Sequence, residues 1–421
     1  MRAPLVAFAR VLSLATVVGG LAGAASALFL ALLDLATKSR EAHPGLVVAL
    51  PFAGLCMGFV YDKVGKSVRG GTDVVLDAVH DETKHVPLRM GPLVLVGTLL
   101  THLFGGSAGR EGTAVQMGAS LSAMVGRVFR VDAETRRKLL VAGIAGGFGS
   151  VFGTPLAGAV FALEVPTVGA VTTDAIVPAV VASVVGDLAA RALSATHTTY
   201  PSPPWLSLTP LVLAKLVALG LGCAAVSASY TELTKAIRRL AESKKVSLPV
   251  RMMLGGATVA ALSRVFRSTD SLGLGVPTIV RAFRDPSLPA YTFAVKLVLT
   301  AITLGAGFMG GEVTPLFFIG ATFGSVFAKV VGLPLALGAA CGMAAVFAAS
   351  ANTPLALTLM AVELVGTNVL PHALVVVVVA FLASGHRGIY GAQRVAVKKD
   401  GTRLSPAIAL RDLEPDRGPS D

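Results

Sequence analysis

Residues Gly105–Ser120 read GGSAGREGTAVQMGAS. Arg110 and Glu111 stand there between small, flexible residues and a stretch with the look of a helix. The surroundings are apolar: of 421 residues 54% are hydrophobic and only 14% charged. That is too little charge to cover a soluble protein of this size. Apolar runs recur at Val11–Leu33, Leu46–Val60, Met90–Leu103, Leu139–Leu163, Leu211–Ser227, Phe293–Phe308, Leu333–Leu359 and Leu374–Ala383. Each is long enough, or nearly so, to cross a hydrocarbon core of ~30 Å. The expected class is an all-α, polytopic membrane protein. The first run is too long for the core of a signal peptide, and many others follow it. A charge pair inside such a chain is expensive and therefore points to function.

The same pattern occurs twice. GIAGGFGSVFGTPLAGAVFALE, Gly143–Glu164, aligns without gaps on GMAAVFAASANTPLALTLMAVE, Gly342–Glu363. Upstream, GREGTAVQMGAS falls opposite GEVTPLFFIGAT, Gly311–Thr322. A polar, proline-rich stretch near the midpoint, THTTYPSPPWLSLTP, reads as the linker. The expected organisation is a first membrane repeat over 1–200, a second over 201–385, and a helix end with a polar, largely disordered tail over 386–421. Paired halves suggest a transporter with its site at the repeat interface. The pattern does not distinguish parallel from inverted repeats.

Both GGSAGREGT and GAGFMGGEVTP look like helices that begin inside the membrane after an unwound segment. Thr314 can cap, and Pro315 suits a first turn. Such breaks are tolerated where the backbone is buried in protein or lines a cavity. A helix start offers free N–H groups and a partial positive charge, so two of them aimed at one point make an anion site. Glu111 stands at the mouth of the first. Ionised, it is itself an anion and competes for that site; protonated, it leaves the site open. That competition couples proton movement to anion movement. The residues alone leave open a plain pairing of Glu111 with Arg110, or a cap.

GSAGREGT resembles the gating-glutamate motif of the CLC family of chloride channels and proton-coupled anion antiporters. GGEVTP is similar to its second filter motif, with Val313 where a Phe is usual. GREGTAVQMGAS and GGEVTPLFFIGATFG resemble the fluoride/proton antiporter branch. The resemblance runs through the repeats to GIYGAQR, Gly388–Arg394. It implies inverted repeats, a homodimer with one pore per subunit, and a cell inner membrane location with cytoplasmic termini. The activity implied is fluoride export driven by proton influx, which gives fluoride resistance. Glu111 matches the gating glutamate, and Arg110 and Gly112, which flank it, are expected among the anion-binding residues with Gly71, Thr72, Val313, Thr314 and Tyr390. Val313 and Thr314 match the altered filter, and Tyr390 a tyrosine at the inner side of the anion site. The first filter segment falls in VRGGTDVVLDAVH, Val68–His80, with Gly71 and Thr72 at the position where chloride-selective members carry Gly-Ser-Gly-Ile-Pro. The exchangers' inner proton-transfer glutamate is replaced by Val165. Glu312 is a possible proton helper. Phe317 and Phe318 could turn positive ring edges toward an anion, though packing is the ordinary reading.

Partners implied are fluoride, protons and membrane lipid. Nucleic acid is excluded for want of a soluble domain, despite a net charge of +12. No motif points to a cofactor or metal: HDETKH, His80–His85, matches no closed zinc pattern. Two alternatives stand beside fluoride/proton antiport. One is a chloride/proton exchanger or chloride channel of the same fold. The other is an intramembrane hydrolase using Ser107, with His102 in the same segment. Glu164 and Glu363 read as caps of neighbouring helices, and Lys215 and Lys296 as snorkelling lysines.

Overall fold

The computed structural model describes residues 2–266 and 268–413, with side chains from residue 8 onward. Among them are sixteen α-helices in two similar series. The first holds α1 (Arg2–Ala42), α2 (Leu50–Lys63), α3 (Thr72–His80), α4 (Met90–Leu103), α5 (Glu111–Val128), α6 (Ala133–Phe152), α7 (Pro155–Glu164) and α8 (Ile176–Ala192). The second holds α9 (Pro210–Ser243), α10 (Leu248–Val265), α11 (Val276–Ala282), α12 (Thr292–Gly305), α13 (Val313–Val331), α14 (Leu335–Ala351), α15 (Pro354–Val365) and α16 (Leu370–Ala383). Among the described residues, five helical stretches are long and apolar enough to cross a membrane: Phe8–Ala42, Pro44–Lys63, Thr173–Ala192, Pro210–Ser243 and Val313–Val331.

Two apolar runs that read as single crossings are each a pair of helices. Leu139–Leu163 breaks at Gly153, which is left-handed at φ 73°, and α7 then restarts on Pro155. Leu333–Leu359 breaks in the same way at Asn352, φ 55°, before Pro354. A residue in the left-handed region ends a helix, and proline fits only the first turn of the next.

The helices pack through glycine. A Cβ on Gly118 of α5 would lie 2.2 Å from the Gly143 carbonyl oxygen of α6. A Cβ on Gly320 of α13 would lie 2.2 Å from that of Gly342 of α14. With no hydrophobic drive between helices in lipid, such close approach supplies the packing energy. The caps are reciprocal too. Glu164 accepts from the N–H groups of Leu355 (3.0 Å) and Ala356 (2.8 Å) at the start of α15. Glu363 accepts from Leu156 (3.0 Å) and Ala157 (2.7 Å) at the start of α7. Each helix thus offers the acid near its C-terminal end to the other's first turn, so α7 and α15 lie side by side and point in opposite directions.

The linker is extended and tethered: His197 Nε2 lies 2.9 Å from the Ser150 carbonyl and His372 Nε2 2.8 Å from that of Leu206. The tail departs from the expectation of disorder. β1 (Thr167–Val168) pairs parallel with β2 (Arg394–Val397), which pairs antiparallel with β3 (Arg403–Ala409). Residues 414–421 of the expected tail lie outside the described residues. The sheet shares a face with the loop after α3, where His80 Nε2 and Arg394 N both meet the Pro166 carbonyl. Near the start of α1, Arg10 donates to the Phe129 carbonyl at the end of α5 at 3.0 Å.

Candidate functional site

The two unwound segments meet at a single backbone pairing. Gly109 N donates to Gly311 O at 2.6 Å, and Gly311 N returns a bond to Gly109 O at 2.9 Å. Only glycine permits this approach: a Cβ on Gly109 would stand 2.8 Å from Gly311 O, and one on Gly311 2.6 Å from Gly112 N. The pairing sets the first turns of α5 and α13 against one another. Gly112 lies at the crossing, and Val313 opens α13 with 1% of its surface exposed.

Glu111 fills the junction and is fully buried. Its Oε2 accepts from the backbone N–H groups of Arg110 and Thr314, each at 3.1 Å, and its Oε1 accepts from the Thr314 hydroxyl. The Arg110 guanidinium leans on it, with Nε 3.4 Å from Oε1. A lone carboxylate here would be costly. Three donors and an adjacent cation, each charge-assisted bond contributing about 1.5–3 kcal/mol, offset that cost. The acid of the first half therefore caps the helix of the second.

On the other side of Gly311 lies a polar cavity of about 100 Å³. Gly71, Thr72, Glu312 and Tyr390 line it, so four of the sequence-derived residues converge there. Four further polar liners had escaped the sequence reading: Arg69, Asp73, Gln116 and Arg238. Gln116 Nε2 is 3.5 Å from the Thr72 hydroxyl. Its proximity to Glu111 along α5 was a usable signal. Asp73 follows Thr72 directly and accepts from Ala392 N at 3.1 Å, which holds the segment after Tyr390 against α3. Arg238 comes from the far end of α9, and no local pattern points to it.

Phe317 and Phe318 part company. Phe317 joins a buried aromatic cluster, 5.4 Å from Phe152 and 5.9 Å from Phe347 between ring centres. Phe318 faces Lys296, whose Nζ is 5.2 Å from the ring centre. Neither lines the cavity. Lys296 does not snorkel: it is fully buried and donates to the carbonyls of Ser271 (3.0 Å) and Gly273 (2.6 Å). Ser107 and His102 form no catalytic pair. The Ser107 hydroxyl bonds Ser271 O (3.0 Å) and Thr300 Oγ1 (2.8 Å). The His102 ring nitrogens face the carbonyls of Thr98 (2.8 Å) and Ala108 (3.1 Å).

Residues 53–385 match the family described as "Voltage gated chloride channel". The chain is 43% identical to a "Chloride/fluoride channel protein" of Pseudomonas syringae pv. tomato, over 96% of this chain and 91% of that one. It is similar to the crystal structure of a CLC-type fluoride/proton antiporter, at a TM-score of 0.89 and 35% identity, over 92% of this chain and 98% of the other. A slow cyanobacterial Cl⁻/H⁺ antiporter superposes at a TM-score of 0.78 with 21% identity, over 89% and 94% of the two chains, which shows the fold alone.

Proposed function

The chain belongs to the voltage-gated chloride channel family, and from that membership we propose that it exchanges fluoride for protons, exporting fluoride as protons enter. The observation that carries this reading is Glu111, a carboxylate bound as an anion would be by the Thr314 N–H and hydroxyl. In the proposed cycle, Glu111 takes up a proton, lets go of α13 and yields its place to fluoride. Fluoride is small and accepts hydrogen bonds strongly, so it competes well for the same donors. Return of the ionised carboxylate closes the path. Thr72 and Tyr390 are the inner donors, with Glu312 beside them as proton helper.

Other parts of the reading are proposals of the same standing. Repeats over 1–200 and 201–385 related by inversion are supported by the reciprocal caps of Glu164 and Glu363. The face holding the sheet is cytoplasmic, as its basic residues, among them Arg136, Arg137, Lys138, Arg394 and Arg411, suggest. On this reading the start of α1 and the tail hairpin face the cytoplasm, and the membrane is an inner one. The assembly is a homodimer, which light scattering of the purified protein would test.

Vesicles loaded with fluoride and held at a pH gradient decide the main point. Fluoride efflux should drive proton uptake, and the Glu111→Gln variant should lose that uptake because its side chain binds no proton. Full proton pumping by the variant contradicts the mechanism. The printed name of the Pseudomonas relative includes chloride, which favours a second reading, chloride/proton exchange. Equal chloride and fluoride rates would establish it.

A further inference from the structure

Exchange requires a second place for the proton, reachable from the inner face. Val165 stands where chloride/proton exchangers carry a glutamate for this purpose; it is 1% exposed, and its carbonyl is taken by Gln393 Nε2 at 2.9 Å. The Val165 side chain itself can hold no proton. Two carboxylates do line the polar cavity: Glu312 from the second half and Asp73 from the first. We propose that Asp73 is the inner proton-releasing group of the cycle and takes its proton from Glu312 across the cavity.

The geometry is specific. One Asp73 oxygen, Oδ1, accepts from Ala392 N at 3.1 Å, while the other lies near Gly391 and makes no hydrogen bond among the described residues. Arg238 acts on both carboxylates; Arg411 and Asp77 act on Asp73, and Asp73 itself on Glu312. Both carboxylates line one confined space, where like charges disfavour each other, so a proton on one makes ionisation of the other easier. An anion arriving in the cavity adds negative charge and draws in a further proton. About 100 Å³ has room for bridging water between the two acids. In the first step neutral Glu312 yields its proton through water to ionised Asp73, which leaves the Glu312 carboxylate and the neutral Asp73 acid. In the second the neutral Asp73 gives that proton to water at the inner face, which forms hydronium and restores its own carboxylate.

The bland role of Asp73 is to tie the tail to α3, and Asp73→Asn separates the two. Asparagine keeps an oxygen for Ala392 N–H but carries no proton. The inference rests on fluoride/proton antiport, so the full-length wild type is measured first in vesicles, with fluoride and pH electrodes. A wild type that moves no protons sinks the antiport reading itself. Given a coupled wild type, Asp73→Asn should still pass fluoride while protons moved per fluoride fall about 100-fold. Asp73→Glu, still an acid, should stay coupled. An Asp73→Asn variant at the wild-type ratio, or one that elutes as folded protein yet moves neither ion, overturns the proposal.

Discussion

Glu111 is held by donors from both halves, and Thr314 supplies two of them. Thr314→Val removes the hydroxyl and keeps the N–H. The seat of the carboxylate should weaken by about 1.5–3 kcal/mol, the loss of one bond to a charged group. The expected outcome is a leak: protons moved per fluoride drop, whereas Thr314→Ser stays at the wild-type ratio. Vesicle flux of both ions checks this, and a Thr314→Val variant with undiminished coupling would remove Thr314 from the gate. Glu111 was legible in the sequence because an acid beside unwound glycine in an apolar chain has few bland explanations. Asp73 was not. Its meaning depends on Glu312 and Arg238 standing across a cavity, and its own neighbours in sequence are those of an ordinary amphipathic first turn.

Small residues decide how closely α5, α6, α13 and α14 approach. Gly320→Ala would press a methyl into the Gly342 carbonyl, 2.2 Å away. Overpacking of this kind costs about 1–3 kcal/mol, so the detergent-solubilised variant should melt at lower temperature. Gly20 in α1 is the contrast, since nothing lies within 4 Å of a Cβ there. Gly20→Ala should hold or raise the melting temperature, because alanine is favoured over glycine in a helix by roughly 0.5–1 kcal/mol. Equal melting of the two variants would show that the glycine contacts do not limit stability. The start of each broken helix could be read from glycine followed by a capping pattern. The breaks at Gly153 and Asn352 were missed, although the Thr-Pro that follows each was in view. One left-handed residue does not interrupt an apolar run, and hydropathy alone sees a single crossing.

The tail shows how a polar segment gains order from contacts made far away. Arg411 pairs with Asp77 (2.9 Å), and Lys399 Nζ donates to Ser384 Oγ (2.8 Å) over the Phe381 ring. Burial, with Arg387 adding to it, pulls the Lys399 amine down from its usual 10.5 to about 7. Between those values the unfolded chain binds a proton that the folded one does not, so the stability of the docked hairpin rises with pH across that window. Below about 7 the penalty is present in full. Lys399→Met should therefore melt above the wild type at pH 7, with the gap closing toward pH 10.5. A gap independent of pH would mean that the amine is not the cause. Composition alone suggested disorder here, because a few polar residues bury too little surface to order themselves.

Taken alone, the sequence determined the membrane setting, the helical class, the repetition and the two interrupted helices. These follow from hydropathy, glycine placement and capping chemistry, which act over a few residues. Only the tertiary structure decided that Glu111 caps a helix 203 residues away, that α7 and α15 oppose one another, and that Asp73, Glu312 and Arg238 share a cavity. Those outcomes depend on which faces of distant helices meet, and close packing through glycine, rather than any local preference, sets that choice.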